Sequence, residues 1–205
     1  MSSPYNHLVV ALPPPAHDGP VALEAAVFNR RSVRAYSTVA LSLEELSQLV
    51  WVAQGISHPE GYRTVASAGA LYPLDLYVLV GRVEDIEPGV YKYVPRAHQL
   101  DEVALGNAWD RLWSTVLANR QVKESAAVFA ITARYEPIVN KYGAGSEKFV
   151  HMEVGHAVQN VYLQAAALGL ATVVVGSFVD NEVSAIFGCP ENEIPMVLMP
   201  VGRPR

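Results

Sequence analysis

Apolar residues recur along this chain with two periods, and the switches between them outline a mixed architecture. Leu43, Leu46, Leu49, Val50 and Ala53 keep the three- and four-residue spacing that lines one face of a helix. Ser42-Leu43-Glu44-Glu45 opens that helix as a capping box, with the Ser42 hydroxyl accepting from the third helical N–H while Glu45 reaches back, and Gly55 ends it. A longer helix from about 146 to 168 carries Val150, Val154, Ala157, Val161 and Ala165 at the same intervals, with Gly169 as its terminator. A short helix is predicted over 22 to 28, and Trp109, Leu112, Trp113 and Val116 repeat at helical spacing. Residues 74 to 80, 126 to 133, 171 to 178 and 195 to 201 are instead nearly continuous apolar runs, the pattern of strands covered on both faces. A further short strand, 90 to 94, follows the turn Glu87-Pro88-Gly89, and Asp180 is placed to cap a short helix ending at Gly188. No segment repeats. The pattern predicts an α+β fold in which one sheet lies between helices.

Prolines 4, 13, 14, 15 and 20 with Gly19 remove backbone donors near the start, so residues 1–20 read as an extended arm and 21–205 as a single domain. The chain has 205 residues, 51% hydrophobic and 17% charged, which excludes a disordered or collagen-like polymer. Fifteen Lys and Arg against 20 Asp and Glu leave a charge of −5. A nucleic-acid or anionic-membrane surface needs the opposite balance, so neither partner is expected. The apolar stretch 163 to 179 is interrupted by Gln164, Gly169, Thr172 and Gly176, and reads as a helix end, a turn and a strand rather than a membrane span. Cys189 has no second cysteine to pair with, and no signal core or basic start precedes the domain. A reducing cytoplasm is the expected compartment.

Candidate chemistry begins with Arg30-Arg31-Ser32-Val33-Arg34, three guanidiniums and a hydroxyl in five residues of an otherwise acidic chain. Such a run is either a solvated charge cluster or an anion site, because a guanidinium fork pairs two phosphate oxygens at once. Gly202-Arg203, after a buried strand, adds a second cationic element, and two separated elements suggest one anionic ligand. Residues 66 to 73, Ala-Ser-Ala-Gly-Ala-Leu-Tyr-Pro, form a small-residue loop that permits close backbone approach to a flat ligand, yet lack the glycine spacing of a phosphate loop or dinucleotide fingerprint. Val175-Gly176-Ser177-Phe178 ends a strand in backbone amides that can face a ligand.

In order and spacing these pieces resemble the FMN-dependent nitroreductase family, and more narrowly its SagB-type branch, whose members oxidise peptide thiazolines and oxazolines to azoles. The resemblance runs from about 28 to 204. It is carried by Arg30 to Arg34, Leu43-Glu44-Glu45-Leu46 with Trp51 and Gln54-Gly55, Ser67 to Pro73, Gly155-His156-Ala157 with Gln159-Asn160, Gly169-Leu170, and Pro200-Val201-Gly202-Arg203-Pro204. It implies a nitroreductase-like fold with a central, mostly antiparallel sheet, and a homodimer holding two FMN molecules at the subunit interface. By position, Arg30, Ser32 and Arg34, with Arg31 adjacent, would serve the flavin phosphate, ribityl chain and pyrimidine edge, and Arg203 would join at the phosphate. Ala66, Ser67 and Ala68 would approach the flavin bound mainly by the other subunit. Gly176 and Ser177 would set a backbone N–H near flavin N5, the atom that exchanges hydride. Asparagine stands in many members where this chain has Ala70, so no side-chain contact is carried over there. The wrapping C-terminal extension of classical nitroreductases has no counterpart after Arg203, and the dimer is expected to rest on the long helix and the N-terminal arm.

Lys141-Tyr142-Gly143 resembles the Lys-Tyr pair that azoline oxidases place beside the flavin. Aromatising an azoline removes a carbon-bound proton as hydride leaves, a task for a desolvated lysine or tyrosinate. The expected activity is thus dehydrogenation of a heterocycle in a peptide or small-molecule natural product, alone or with biosynthetic partner proteins. Two alternatives stay open: an NAD(P)H-dependent reductase of nitro compounds or quinones, which NADH or NADPH would bleach rapidly, and a flavin-binding scaffold that would tolerate loss of Lys141 and Tyr142. His151, Glu153 and His156 lack the second Glu-x-x-His of a di-iron site, so no metal is expected. His156 reads as a helix-packing residue and Cys189 as a small, buried, unreactive one.

Overall fold

Among the described residues of the computed structural model, 8–106, 108–116 and 119–205, seven strands form one sheet; residues 1–7 of the expected arm lie outside this set. The strands are β1 (Val9–Ala11), β2 (Leu74–Val80), β3 (Gly89–Val94), β4 (Gln99–Leu105), β5 (Ala127–Ala133), β6 (Ala171–Thr172) and β7 (Ile194–Gly202). Their order is β1-β4-β3-β2-β5-β7-β6, and each neighbouring pair is antiparallel. The helices are α1 (Leu23–Asn29), α2 (Leu43–Gln54), α3 (Trp109–Thr115), α4 (Asn119–Glu124), α5 (Glu136–Tyr142), α6 (Glu147–Ala167) and α7 (Asp180–Phe187).

The continuous apolar runs follow from helices on both faces of the sheet. Every residue of β5 is buried. Its Phe129 and Ile131 enter a core with Leu46, Leu49 and Ala53 of α2 and Val154, Ala157 and Val161 of α6. Val128 and Ala130 face the other way, toward Leu112 of α3 and Val183, Ile186 and Phe187 of α7. Truncating the fully buried Phe129 to alanine is expected to cost about 3–5 kcal/mol, read from denaturant unfolding.

The capping box of α2 forms in both directions: Glu45 N–H donates to Ser42 Oγ at 3.2 Å, and Ser42 N–H to Glu45 Oε2 at 2.9 Å. Two expectations need correction. The 171 to 178 run stays in the sheet only as β6 and then returns through one bridge, Val175 to Leu198, because the Val174 N–H turns away to the Tyr162 hydroxyl at 2.9 Å. Asp180 is the first residue of α7 and makes no side-chain cap; Val179 holds the cap position, and the Asp180 carboxylate meets the positive end of the helix. Within residues 1–20, the extended stretch Val9–Ala11 is β1 and pairs with β4 at the sheet edge. The polar strand β4 and helices α4 and α5 give no apolar pattern and were not expected.

Candidate functional site

The candidate residues gather in two places. In the first, residues 30–37 run in extended form past β6 and the end of β7. Ser32 bridges Thr172 in parallel, Val33 N–H donates to Thr172 O at 3.1 Å, and Ser37 N–H to Arg203 O at 2.9 Å. Arg205 N–H reaches Ala35 O at 3.3 Å, and the Tyr36 hydroxyl sits between the carbonyls of Val33 and Pro200, at 2.9 and 3.0 Å. The two cationic stretches, far apart in sequence, are therefore laid side by side. A Cβ at Gly202 would lie 3.1 Å from the Tyr36 ring, so glycine lets this crossing close.

Tyr162 of α6, which sequence reading missed, organises this place. The Arg30 guanidinium lies 5.0 Å above its ring, and its hydroxyl is 3.1 Å from Ser32 Oγ. Because that hydroxyl oxygen already accepts from Val174 N–H, its hydrogen is available to Ser32. Tyr162 thus ties Arg30 and Ser32 to the segment leading to Gly176 and Ser177. Both of the latter are exposed, and neither amide donates a hydrogen bond among the described residues. The arginines differ in what they face. Arg31 turns back to the carbonyls of Phe28 and Arg30, at 2.9 and 2.8 Å, and closes the end of α1. Arg34 is exposed, with one long contact of 3.5 Å to Ser32 O. Arg203 Nη2 pairs with both Glu45 oxygens at 3.0 and 3.1 Å, so its charge is shared with the capping box of α2.

The second place is the loop 66–73. Gly69, Ala70 and Tyr72 all lie in the left-handed region, at φ +61°, +53° and +49°. Ser67 Oγ accepts from Tyr72 N–H at 2.9 Å, which closes the turn. Helix α6 grips the loop along one stripe: His156 Nδ1 donates to Ala66 O at 3.0 Å, and Asn160 Nδ2 to Thr64 O and Val52 O at 3.1 and 3.0 Å. Beside them Glu153 is 1% exposed. Lys141 and Tyr142, the last residues of α5, arrive from the other side. Lys141 Nζ donates to Gly69 O at 3.4 Å, and a Cβ at Gly69 would lie 2.5 Å from both Lys141 Nζ and the Tyr142 oxygen. Tyr142 is braced edge-on against Phe149 at 5.3 Å. Lys141 and Tyr142 are both exposed, so this chain by itself does not provide the desolvation that a base needs. Gly69→Ala is expected to destabilise by about 1–2 kcal/mol from backbone strain and to displace both side chains, whereas Ala70→Gly is expected to stabilise by about 1 kcal/mol; thermal unfolding reads both signs.

Other sequence candidates are used elsewhere. His151 Nε2 pairs with the Tyr135 hydroxyl at 2.7 Å, and no group of His, Cys, Asp and Glu among the described residues is arranged for a metal. His156 does more than pack, because it holds the loop. Burial, with the Glu193 carboxylate nearby, pushes the Cys189 thiol up to about 12, so it stays protonated near neutrality.

The two places are back to back. Glu153 and Tyr162 are nine residues apart, which at about 100° per residue sets them on opposite sides of α6, and about 13 Å apart along it. Between them the helix shows solvent Met152, 56% exposed, beside the polar His156 and Gln159, and α1 adds an apolar patch of Leu23, Val27 and Phe28 at 65, 54 and 76%. Two hollows, of about 570 and 520 Å³, lie against α2, one under the arm and the other between α1 and the end of α6, and their linings include none of Arg30, Ser32, Lys141 or Tyr142. Within one chain, each place is an open half-site.

Comparison with known proteins identifies the family. The Nitroreductase family model matches residues 27–203. A relative from Methanocaldococcus jannaschii, named "Putative nitroreductase MJ1384", is 43% identical over 183 residues, 89% of this chain and 91% of that protein. The trifolitoxin-processing protein TfxB of Rhizobium leguminosarum bv. trifolii is 30% identical over 141 residues, 66% of this chain but 35% of TfxB. Among solved structures, the E. coli microcin synthetase McbBCD complex with truncated pro-MccB17 bound contains a chain with TM-score 0.74 and 22% identity, over 92% of this chain and 76% of that one. A Desulfovibrio desulfuricans structure named for a nitroreductase in complex with FMN aligns at TM-score 0.62 and 21% identity, over 90% and 87%. The family is FMN-dependent. Its model spans both arginine stretches, the loop gripped by α6 and the end of α5, and this chain belongs to the nitroreductase family of oxidoreductases.

Proposed function

We propose that the protein is an FMN-dependent dehydrogenase that oxidises an azoline or similar C–N heterocycle in a peptide or peptide-like natural product, working as a homodimer. One observation carries this reading: Lys141 and Tyr142 converge on Gly69, in the loop whose small residues leave room for a flat ligand. The names of TfxB and of the microcin synthetase complex, both concerned with processed peptides, support the substrate class.

The residues present fit FMN. The first place offers the exposed fork of Arg34, Arg30 above Tyr162, the Ser32 hydroxyl and the unpaired amides of Gly176 and Ser177, a donor set matched to a phosphate and a ring edge rich in acceptors. The second offers a shallow backbone surface at 66–68 with a base pair above it. Since the two lie on opposite sides of α6, a partner subunit is needed to bring a second-type half against a first-type half, and the apolar patch of α1, with Met152 of α6, is the face that would close on it. Closure would also withdraw Lys141 and Tyr142 from water.

When bound, FMN supplies a hydride acceptor at N5. The protein's own part is to hold and deprotonate. Arg30, Ser32 and Arg34 fix the ligand; Gly176 and Ser177 present amides toward its reactive edge. The uncharged amine of Lys141, or the Tyr142 oxygen after losing its proton, would take the proton from one ring carbon of the azoline, whose C–H electrons become the new ring double bond as hydride leaves the adjacent carbon. Gly69 O orients the amine and Phe149 fixes the phenol ring.

Incubating the FMN-loaded protein with a thiazoline-containing peptide under air is expected to convert it to the thiazole with loss of two hydrogens, seen by mass spectrometry, while NADH and NADPH bleach the flavin slowly. Rapid bleaching with an unchanged peptide would replace this reading by the nitro or quinone reductase that the MJ1384 name favours.

A further inference from the structure

Beneath the loop lies an ionisable group that the proposed chemistry does not use. Glu153 is 1% exposed, and neither carboxylate oxygen has a hydrogen bond of ordinary geometry. A buried, unpartnered carboxylate is costly, so its retention in the middle of α6 asks for a reason. The Ser67 hydroxyl faces it, with Arg63 from the segment before the loop and His156 one turn along the helix as the nearby cationic groups. Lys141 and Tyr142 reach the same loop from the far side of Gly69.

Ser67 is half-buried, between this carboxyl and the exposed loop surface. Its oxygen accepts from Tyr72 N–H, so one lone pair and one hydrogen remain. When Glu153 is ionised, it draws that hydrogen inward. Once Glu153 is protonated, its own O–H can donate to Ser67 Oγ, and the Ser67 hydrogen is released toward the loop surface. We propose that Glu153 is a positioning residue whose proton decides whether Ser67 offers a hydrogen-bond donor to the bound flavin. The claim rests on the FMN site proposed above and extends it to the loop's polarity. Desolvation raises the Glu153 carboxyl to about 7, with Ser67, Arg63 and His156 opposing, so the switch would operate near neutrality.

Three proteins test this: wild type, Glu153→Gln, whose amide donates to Ser67 at every pH, and Ser67→Ala, which has no hydroxyl to turn. Fluorescence quenching gives the dissociation constants of FMN and of riboflavin, which lacks the titrating phosphate, from pH 5.5 to 8.5. Wild type is expected to bind both flavins about five- to tenfold more weakly at the alkaline end, the worth of one hydrogen bond, with Glu153→Gln tight and flat and Ser67→Ala weak and flat. Infrared difference spectra of the flavin-free proteins are expected to show a buried protonated carboxyl below pH 7, absent in Glu153→Gln and shifted in Ser67→Ala. A pH-independent wild type, a slope retained by Glu153→Gln, or a carboxyl band that is missing or indifferent to Ser67→Ala would each overturn the proposal. If no flavin binds at any pH, the FMN reading fails, and so does a flavin-directed role for Glu153; if flavin binds and only the slope or band is wrong, Glu153 alone is refuted.

Discussion

Lys141→Ala and Tyr142→Phe are expected to slow azoline oxidation by about 10²–10⁴-fold, the range lost when a positioned base is removed, while FMN content stays at the wild-type level. The separation follows from placement: both side chains end at Gly69, whereas the proposed phosphate and ring contacts lie across α6. Both residues are exposed in the chain, so their replacement is expected to change unfolding free energy by no more than about 0.5 kcal/mol. Single-turnover mixing of oxidised enzyme with a thiazoline peptide reads the hydride step directly. Full rate in both variants would place the base elsewhere; loss of rate with loss of FMN would make the pair structural.

Two defective chains are expected to rescue each other. An Arg30→Ala/Arg34→Ala chain lacks the first half-site, and an Ala66→Trp chain fills the second, so each homodimer is expected to lose FMN. Both substitutions fall mainly on exposed or half-exposed side chains, which spares the core. Each mixed dimer holds one intact site of two, so the mixed species should carry about one half of wild-type FMN. Co-expression with two affinity tags and a flavin absorbance measurement on the doubly purified species checks this. Should each chain retain FMN alone, or mixed dimers remain colourless, the site would not be shared.

Much of the scaffold could be read from local pattern. The capping box at Ser42, the apolar stripe of α6 and the largely buried strands β2 and β5 each follow from rules that act over a few residues, and all three formed. Where the pattern misled, a distant partner intervened. The run after Ala171 looked like one strand, but Tyr162 captured the Val174 amide and bent it out of the sheet. Strand β4 is polar at an outer position of the sheet and carries no apolar signature, and β1 became a strand only because β4 was there to pair with it.

The same division holds for the site. Residue types were legible from sequence: guanidiniums for an anion, small residues for close approach, a lysine and tyrosine for proton removal. Their company was not. That Arg203 is shared with Glu45, that Tyr162 joins Arg30 to Ser32, and that Glu153 lies unpartnered under Ser67 depend on residues from 86 to 158 positions apart. The sequence by itself determined most of the apolar helices and strands and which side chains are chemically able to act, because spacing and residue type operate locally. Tertiary structure decided which of them meet and which stay buried without a partner, because hydrogen bonds and desolvation depend on neighbours that only chain crossing supplies.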